Sequence, residues 1–88
     1  MNTEQFNQYK TLHAKHPDCV LLFRRGLRYF AFNNHAKLLA EICETETIKD
    51  GRIITASIAE FELKTALRVM TYKGYRVAVC EPLTKPNN

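Results

Sequence analysis

The chain has 88 residues, with thirteen Lys and Arg against nine Asp and Glu, a formal net charge of +4 and a pI near 9.1. A chain of this length forms one small domain over residues 1–88 that buries only about 60–65% of the surface its unfolded form exposes, so there is room for one core and none for a large catalytic apparatus. Hydrophobic residues at 45%, charged residues at 25% and only three glycines and three prolines exclude a disordered chain, while the basic residues, spread among the acids, permit an anionic partner without demanding one.

Taken in chain order, Thr3 is a candidate N-cap with Glu4 in the first turn, and Phe6, Tyr9 and Leu12 or His13 recur at helical spacing until Pro17. The first helix is expected over residues 4–15. The run "CVLLFR" is apolar on both alternating sets, Cys19, Leu21 and Phe23 against Val20 and Leu22, which suits a central strand covered on both faces. "LRYFAF" follows as a second strand after a turn on Arg25-Gly26, since glycine supplies the positive φ of a tight hairpin. Its period of two sets Leu27, Tyr29 and Ala31 on one face and Arg28, Phe30 and Phe32 on the other.

"NNHAKLLAEICE" predicts a second helix capped by Asn33 or Asn34, with Ala36, Leu39, Ala40 and Cys43 in one stripe. "TETIKDGRIITASI" predicts a short strand, an Asp50-Gly51 turn and another strand around Arg52 to Ala56. Ser57 and Glu60 fit a capping box for a third helix carrying Leu63, Ala66, Leu67 and Met70 and ending at Gly74. The strand "YRVAVCE" closes a crossover unit, which makes the last two strands parallel and the sheet mixed. The fold class is thus α/β (α+β), a mixed sheet of about five strands flanked by three helices, and the tail over residues 83–88 reads as a linker.

Cys19, Cys43 and Cys80 form no C-x-x-C pair, and Cys19 and Cys80 lie inside apolar runs as reduced, core-like residues do. With no basic-then-apolar leader in "MNTEQFNQYK" and no apolar run near the ~20 residues of a membrane span, the expectation is a cytoplasmic chain without a membrane partner. His13 and His16 are spaced i,i+3 and lack the i,i+4 spacing and glutamate of the zinc-protease helix. His35 stands alone near a helix start. No phosphate-cradling glycine motif occurs, so no nucleotide is expected, and the acids Glu44, Glu46 and Asp50 read as a solvated segment. The sequence therefore offers no ligand set for a metal or cofactor and no catalytic residues.

What remains is the hairpin "FRRGLRYFAF", residues 23–32. Arg24, Arg25 and Arg28 can hold phosphates, and Tyr29 or Phe30 can stack on a base or wedge between base pairs. The same residues also suit a core hairpin, because half-buried strands are rich in aromatics.

Three stretches, in order and spacing, resemble the N-terminal domain of the DNA mismatch repair protein MutS over about Gln8 to Pro86. They are "QYKTLHAKHPDCVLLFRRG", similar to the family's glutamine-tyrosine helix, His-Pro break and strand ending in Arg-x-Gly; "YFAFNNHAKLLAEI", similar to its Tyr-x-x-Phe and Ala-rich helix; and "YKGYRVAVCEPL", similar to its glycine, strand and Cys-Glu ending. The resemblance implies a mixed sheet flanked by helices that contacts mispaired DNA. It also implies a recognition motif, Phe-x-Glu just after the hairpin glycine, whose phenylalanine wedges at the mismatch and whose glutamate bonds a base. Arg28 and Phe30 occupy those two positions here, so the motif is absent.

An arginine provides no apolar wedge, and a phenylalanine accepts no hydrogen bond. The expectation is a non-enzymatic module that binds duplex DNA, mismatched or not, weakly or non-specifically. Its contacts would be Arg24, Arg25 and Arg28, with Tyr29 or Phe30 as stackers. The alternative is a protein-interaction or regulatory module that reuses the fold and meets a protein partner.

Overall fold

The computed structural model describes the backbone of residues 3–81 and the side chains of residues 4–81. The expected cap by the Thr3 side chain and the linker at 83–88 lie outside the described residues. In chain order the elements are α1 (Thr3–Lys15), β1 (Cys19–Arg25), β2 (Arg28–Phe32), α2 (Asn33–Cys43), β3 (Ile48–Asp50), β4 (Ile53–Ala59), one 3-10 turn (Glu60–Glu62), α3 (Leu63–Tyr72) and β5 (Arg76–Cys80).

The five strands form one sheet in the order β3-β4-β2-β1-β5. Strand β1 lies in its interior, as the two-sided apolar run requires. Its alternate residues feed two cores. Val20 and Leu22 pack with Tyr29, Ala31, Ala56 and Ile58 beneath Ala36 and Leu39 of α2 and Ala66 and Met70 of α3. Leu21 and Phe23 pack with Phe32 beneath Tyr9, Phe6 and Leu12 of α1. The mixed α+β sheet is the expected one: β1 pairs antiparallel with β2 and parallel with β5, and β4 pairs antiparallel with β2 and β3. Strands β4 and β5 therefore run the same way, with β2 and β1 between them, and α3 carries the chain across both.

Both hairpins close through a two-residue turn with glycine first. Arg25 pairs with Arg28 around Gly26-Leu27, and Asp50 pairs with Ile53 around Gly51-Arg52. The glycines have φ of +64 and the residues after them do not have positive φ, the pattern of a type II′ turn. Each turn is thus centred one residue later than the sequence suggested. Leu27, expected on the core face beside Tyr29, forms the turn tip and is 71% exposed.

Two helix starts differ from expectation. Ser57 stays within β4 and caps nothing; after it, the Ala59 N–H donates to Glu62 Oε1 at 2.8 Å, and the 3-10 turn precedes α3. At α2 the N-cap position is Phe32, with no side-chain cap. Asn33 instead turns left-handed, at φ +53, and its Oδ1 accepts the Ile54 N–H of β4 at 3.1 Å.

His35 does the corresponding work on the other side. Strand β2 ends at Phe32, where α2 begins, so the Leu21 N–H of β1 has no strand to bond; His35 Nδ1 accepts it at 3.2 Å. The imidazole is 8% exposed and packs edge-on against Tyr9 and His13 at centroid distances of 5.4 and 5.0 Å. Burial first, and the charge on His13 second, lower its pKa from 6.5 to about 4.

A neutral His35 is therefore part of the folded state. Between pH 6.5 and 4 the unfolded chain binds the proton that the folded chain refuses, so this contribution is complete above pH 6.5 and declines as the pH falls toward 4. Its ceiling is about 3 kcal/mol at 1.36 kcal/mol per pK unit. His35→Ala should cost about 1–3 kcal/mol near pH 7.5, because it leaves a buried N–H unpaired. In urea melts the gap between the two proteins should narrow steadily from pH 7 to pH 4; a gap independent of pH would show that His35 is not held neutral.

Candidate nucleic-acid interface

The register of the first hairpin sorts the basic and aromatic residues. Arg24 stands opposite Tyr29, Arg25 opposite Arg28, and Phe23 opposite Phe30. Because side chains alternate along each strand, the five candidates divide between the two faces of the sheet. Arg24 and Tyr29 belong to the face covered by α2 and α3, and Arg25, Arg28 and Phe30 to the face of α1.

The first pair, Arg24 and Tyr29, has its partners within the fold. Tyr29 is 4% exposed within the core. Arg24 lies over its ring at 5.9 Å and is neutralised by Glu60 at 2.8 Å and Glu81 at 3.6 Å. Its Nε also donates to the Gly26 carbonyl at 3.1 Å, which ties the strand to its own turn.

The second group is open to solvent. Arg25 and Arg28 are exposed, and among the described residues neither forms an ion pair with a carboxylate. Arg28 Nε donates to Ser57 Oγ at 3.0 Å and its Nη2 to the Ser57 carbonyl at 3.4 Å. The guanidinium is thereby laid across β4 at an exposed position. Phe30 is half-buried, belongs to neither core cluster and, among the described residues, touches no other ring. Phe32, two residues on, is 2% exposed and packed by Phe6, Tyr9 and Phe23.

The difference between these phenylalanines follows from where α1 sits. Tyr9 and Phe6 anchor the helix over Leu21, Phe23 and Phe32, which leaves the β2, β4 and β3 side of that face uncovered. A groove of about 220 Å³ results, lined by Phe30 and Phe32 with Arg25, Asp50 and Thr55. Beside the start of α2 a second, more polar hollow of about 560 Å³ gathers Lys10, His13, Asn33 and Arg52. Lys10 and Arg52 were absent from the sequence-derived set; they come from separate elements, and only the fold sets them beside one hollow.

The remaining chemistry is sparse. Among the described residues no three His, Cys, Asp or Glu gather as a metal site, and no described helix is long and apolar enough to cross a membrane. Cys19, Cys43 and Cys80 are half-buried free thiols. Burial raises the pKa of Cys43, with Glu62 adding to it, and burial alone raises that of Cys80, which makes both thiols poor nucleophiles.

Comparison with known proteins agrees with this architecture. The family model for MutS domain I matches residues 3–88. The chain is 33% identical over 90 residues to the DNA mismatch repair protein MutS of Symbiobacterium thermophilum, covering 96% of this chain and 10% of that protein. It is 34% identical over 91 residues to that of Roseiflexus sp., covering 91% and 8%, and 38% identical over 84 residues to that of Bacteroides fragilis, covering 90% and 10%. It thus spans about a tenth of the length of these curated relatives.

The two classes of arginine should separate in stability measurements. Arg24→Ala removes two partly exposed ion pairs and a ring contact and should cost about 1 kcal/mol. Arg25→Ala and Arg28→Ala should stay within about 0.5 kcal/mol of the parent, as surface changes do. Equal costs for all three in urea denaturation would contradict the division by face.

Proposed function

The chain belongs to the MutS domain I family, and from that premise we propose that it is a non-catalytic DNA-binding module that holds duplex backbone through Arg25 and Arg28 and lacks the mismatch wedge. The observation that carries this reading is the pair of exposed arginines set opposite each other at the hairpin end. No carboxylate pairs with either among the described residues. Like charges directly opposite on a sheet repel, and an anion bridging them would relieve that repulsion.

The absence of the wedge follows from side-chain chemistry. Arg28 stands where the resemblance expects the wedging phenylalanine, and its bonds to Ser57 hold the guanidinium against the sheet. Phe30 stands where the glutamate is expected and accepts no hydrogen bond. Contacts of this kind grip phosphates and carry no base information. A protein partner is the second reading, favoured by Phe61 and Tyr72, which are 86% and 90% exposed. Phe61 flanks an apolar groove between α2 and α3 that also includes Ile42 and Val69.

Titration of matched and mismatched duplexes at several salt concentrations tests the proposal. The two duplexes should bind alike, and two neutralised phosphates give a slope of log affinity against log salt of roughly −2. Arg28→Ala should reduce that slope by about 0.9. A strong mismatch preference would show that specificity survives without the motif. No binding at low salt would leave the protein-partner reading.

A further inference from the structure

We propose that the groove beside Phe30 seats an unpaired base of a single-stranded polynucleotide, with its flanking phosphates held by Arg25 and Arg28 at one end and by Lys10 and Arg52 at the other. The inference rests on the reading that this face meets nucleic acid, and it names the form of nucleic acid that the face fits best.

Phe30 carries the argument. It is a half-buried ring on the uncovered side of the sheet, and it belongs to neither core cluster. Every base has a π-face, and an aromatic ring stacks on it without regard to sequence. A paired base keeps its faces stacked within the duplex, so only an unpaired one can lie against a ring in the floor of a groove. Arg28 is bonded to Ser57, the residue that pairs with Phe30 across β2 and β4, so its charge stands beside the ring.

Charge then decides which way base and phosphates face. From Arg28 to Phe32 strand β2 extends about 13 Å. Arg25 and Arg28 lie at one end of that span, and Arg52 and Lys10 lie near the other, around the polar hollow at the start of α2. The groove between them contains Asp50 and Thr55. A carboxylate there repels phosphate and accepts hydrogen bonds from base amino groups, so the base turns inward toward Phe30 and the phosphates turn outward to the cations. The spacing of cation, ring and cation along one open face is what a single-strand platform requires.

The test is anisotropy titration of the full chain with a single-stranded DNA oligonucleotide, an RNA of the same sequence and the matched duplex. The expected result is that single strands bind about 10-fold tighter than the duplex, within the range a stacked base supplies. Phe30→Ala should pull that ratio toward one, and Phe30→Tyr should restore it. Arg52→Ala, at an exposed position, should lower the salt slope for single strands by about 0.7. Circular dichroism checks that each variant is folded. A tighter RNA arm would identify the 2′-hydroxyl as part of the ligand, and equal RNA and DNA arms would show that sugar is not read; both support the proposal. Duplex binding as tight as single-strand binding, or a Phe30→Ala ratio like the parent's, overturns it while leaving the duplex reading in place. No binding by any arm overturns both.

Discussion

Strand β2 stops at Phe32 while its neighbours β1 and β4 continue, and the sheet survives that gap because the first turn of α2 completes the ladder with side chains. Asn33 accepts the Ile54 N–H on one side and His35 accepts the Leu21 N–H on the other. An unpaired buried N–H costs about 1–3 kcal/mol, so the two acceptors together are worth more than the left-handed turn at Asn33, a strain of about 1–2 kcal/mol. The plug fixes where α2 leaves the sheet and so where Ala36 and Leu39 enter the core. It also anchors α1, because Tyr9 and His13 pack on His35. With α1 drawn to the β1 side by this ring cluster, the β2 and β4 side of the same face is left open around Phe30. The candidate interface is thus a consequence of how one strand ends.

How much of this was legible in the sequence depended on the range of the interaction. The two-sided apolar run of β1, the mixed sheet and the glycine stop after α3, where Gly74 has φ +92, all rest on local patterns and match the structure. So does the separation of Arg28, Phe30 and Phe32 from Tyr29 and Ala31 by the period of two. The bonds of His35 and Asn33 span 14 and 21 residues and leave no local trace; His35 read as a lone histidine, and Asn33 as an ordinary cap. Ser57 has the spacing of a capping box, yet the strand carries it past the point where a helix could use it. Arg24 and Arg25 were indistinguishable as neighbours in the sequence, and only the register, with Glu60 and Glu81 on one face, gave Arg24 its ion pairs and left Arg25 without a carboxylate partner among the described residues.

That asymmetry between adjacent arginines has a physical meaning. Arg24 satisfies its charge within the fold and ties the hairpin to the 3-10 turn and to the residue after β5. Its ion pairs are partly exposed, so they contribute little stability, but they stiffen the base on which Gly26 and Leu27 project. Arg25 and Arg28 are held side by side on that stiffened hairpin, where their mutual repulsion is a small standing cost. Local arrangements that oppose folding and are tolerated by a well-packed scaffold are where function is to be sought.

On the proposed reading, Arg28 and Phe30 in place of an aromatic and a carboxylate would change the kind of ligand the same backbone suits. An exposed phenylalanine at the strand start projects and can enter a stacked duplex. A phenylalanine two residues further along, between α1 and β3, lies recessed, and the ligand must come to it. A duplex would present to such a recess its phosphates, for which the arginines at the rim would suffice, whereas an unpaired base could reach the ring itself. The free energy of contact would then divide in two: a salt-sensitive part from the rim cations, shared by every polynucleotide, and a stacking part that only an accessible base could collect. Because the first part acts through charge and the second through ring area, the two respond to different substitutions, Arg28 for one and Phe30 for the other. The fold keeps those residues on a single face, one pleat apart.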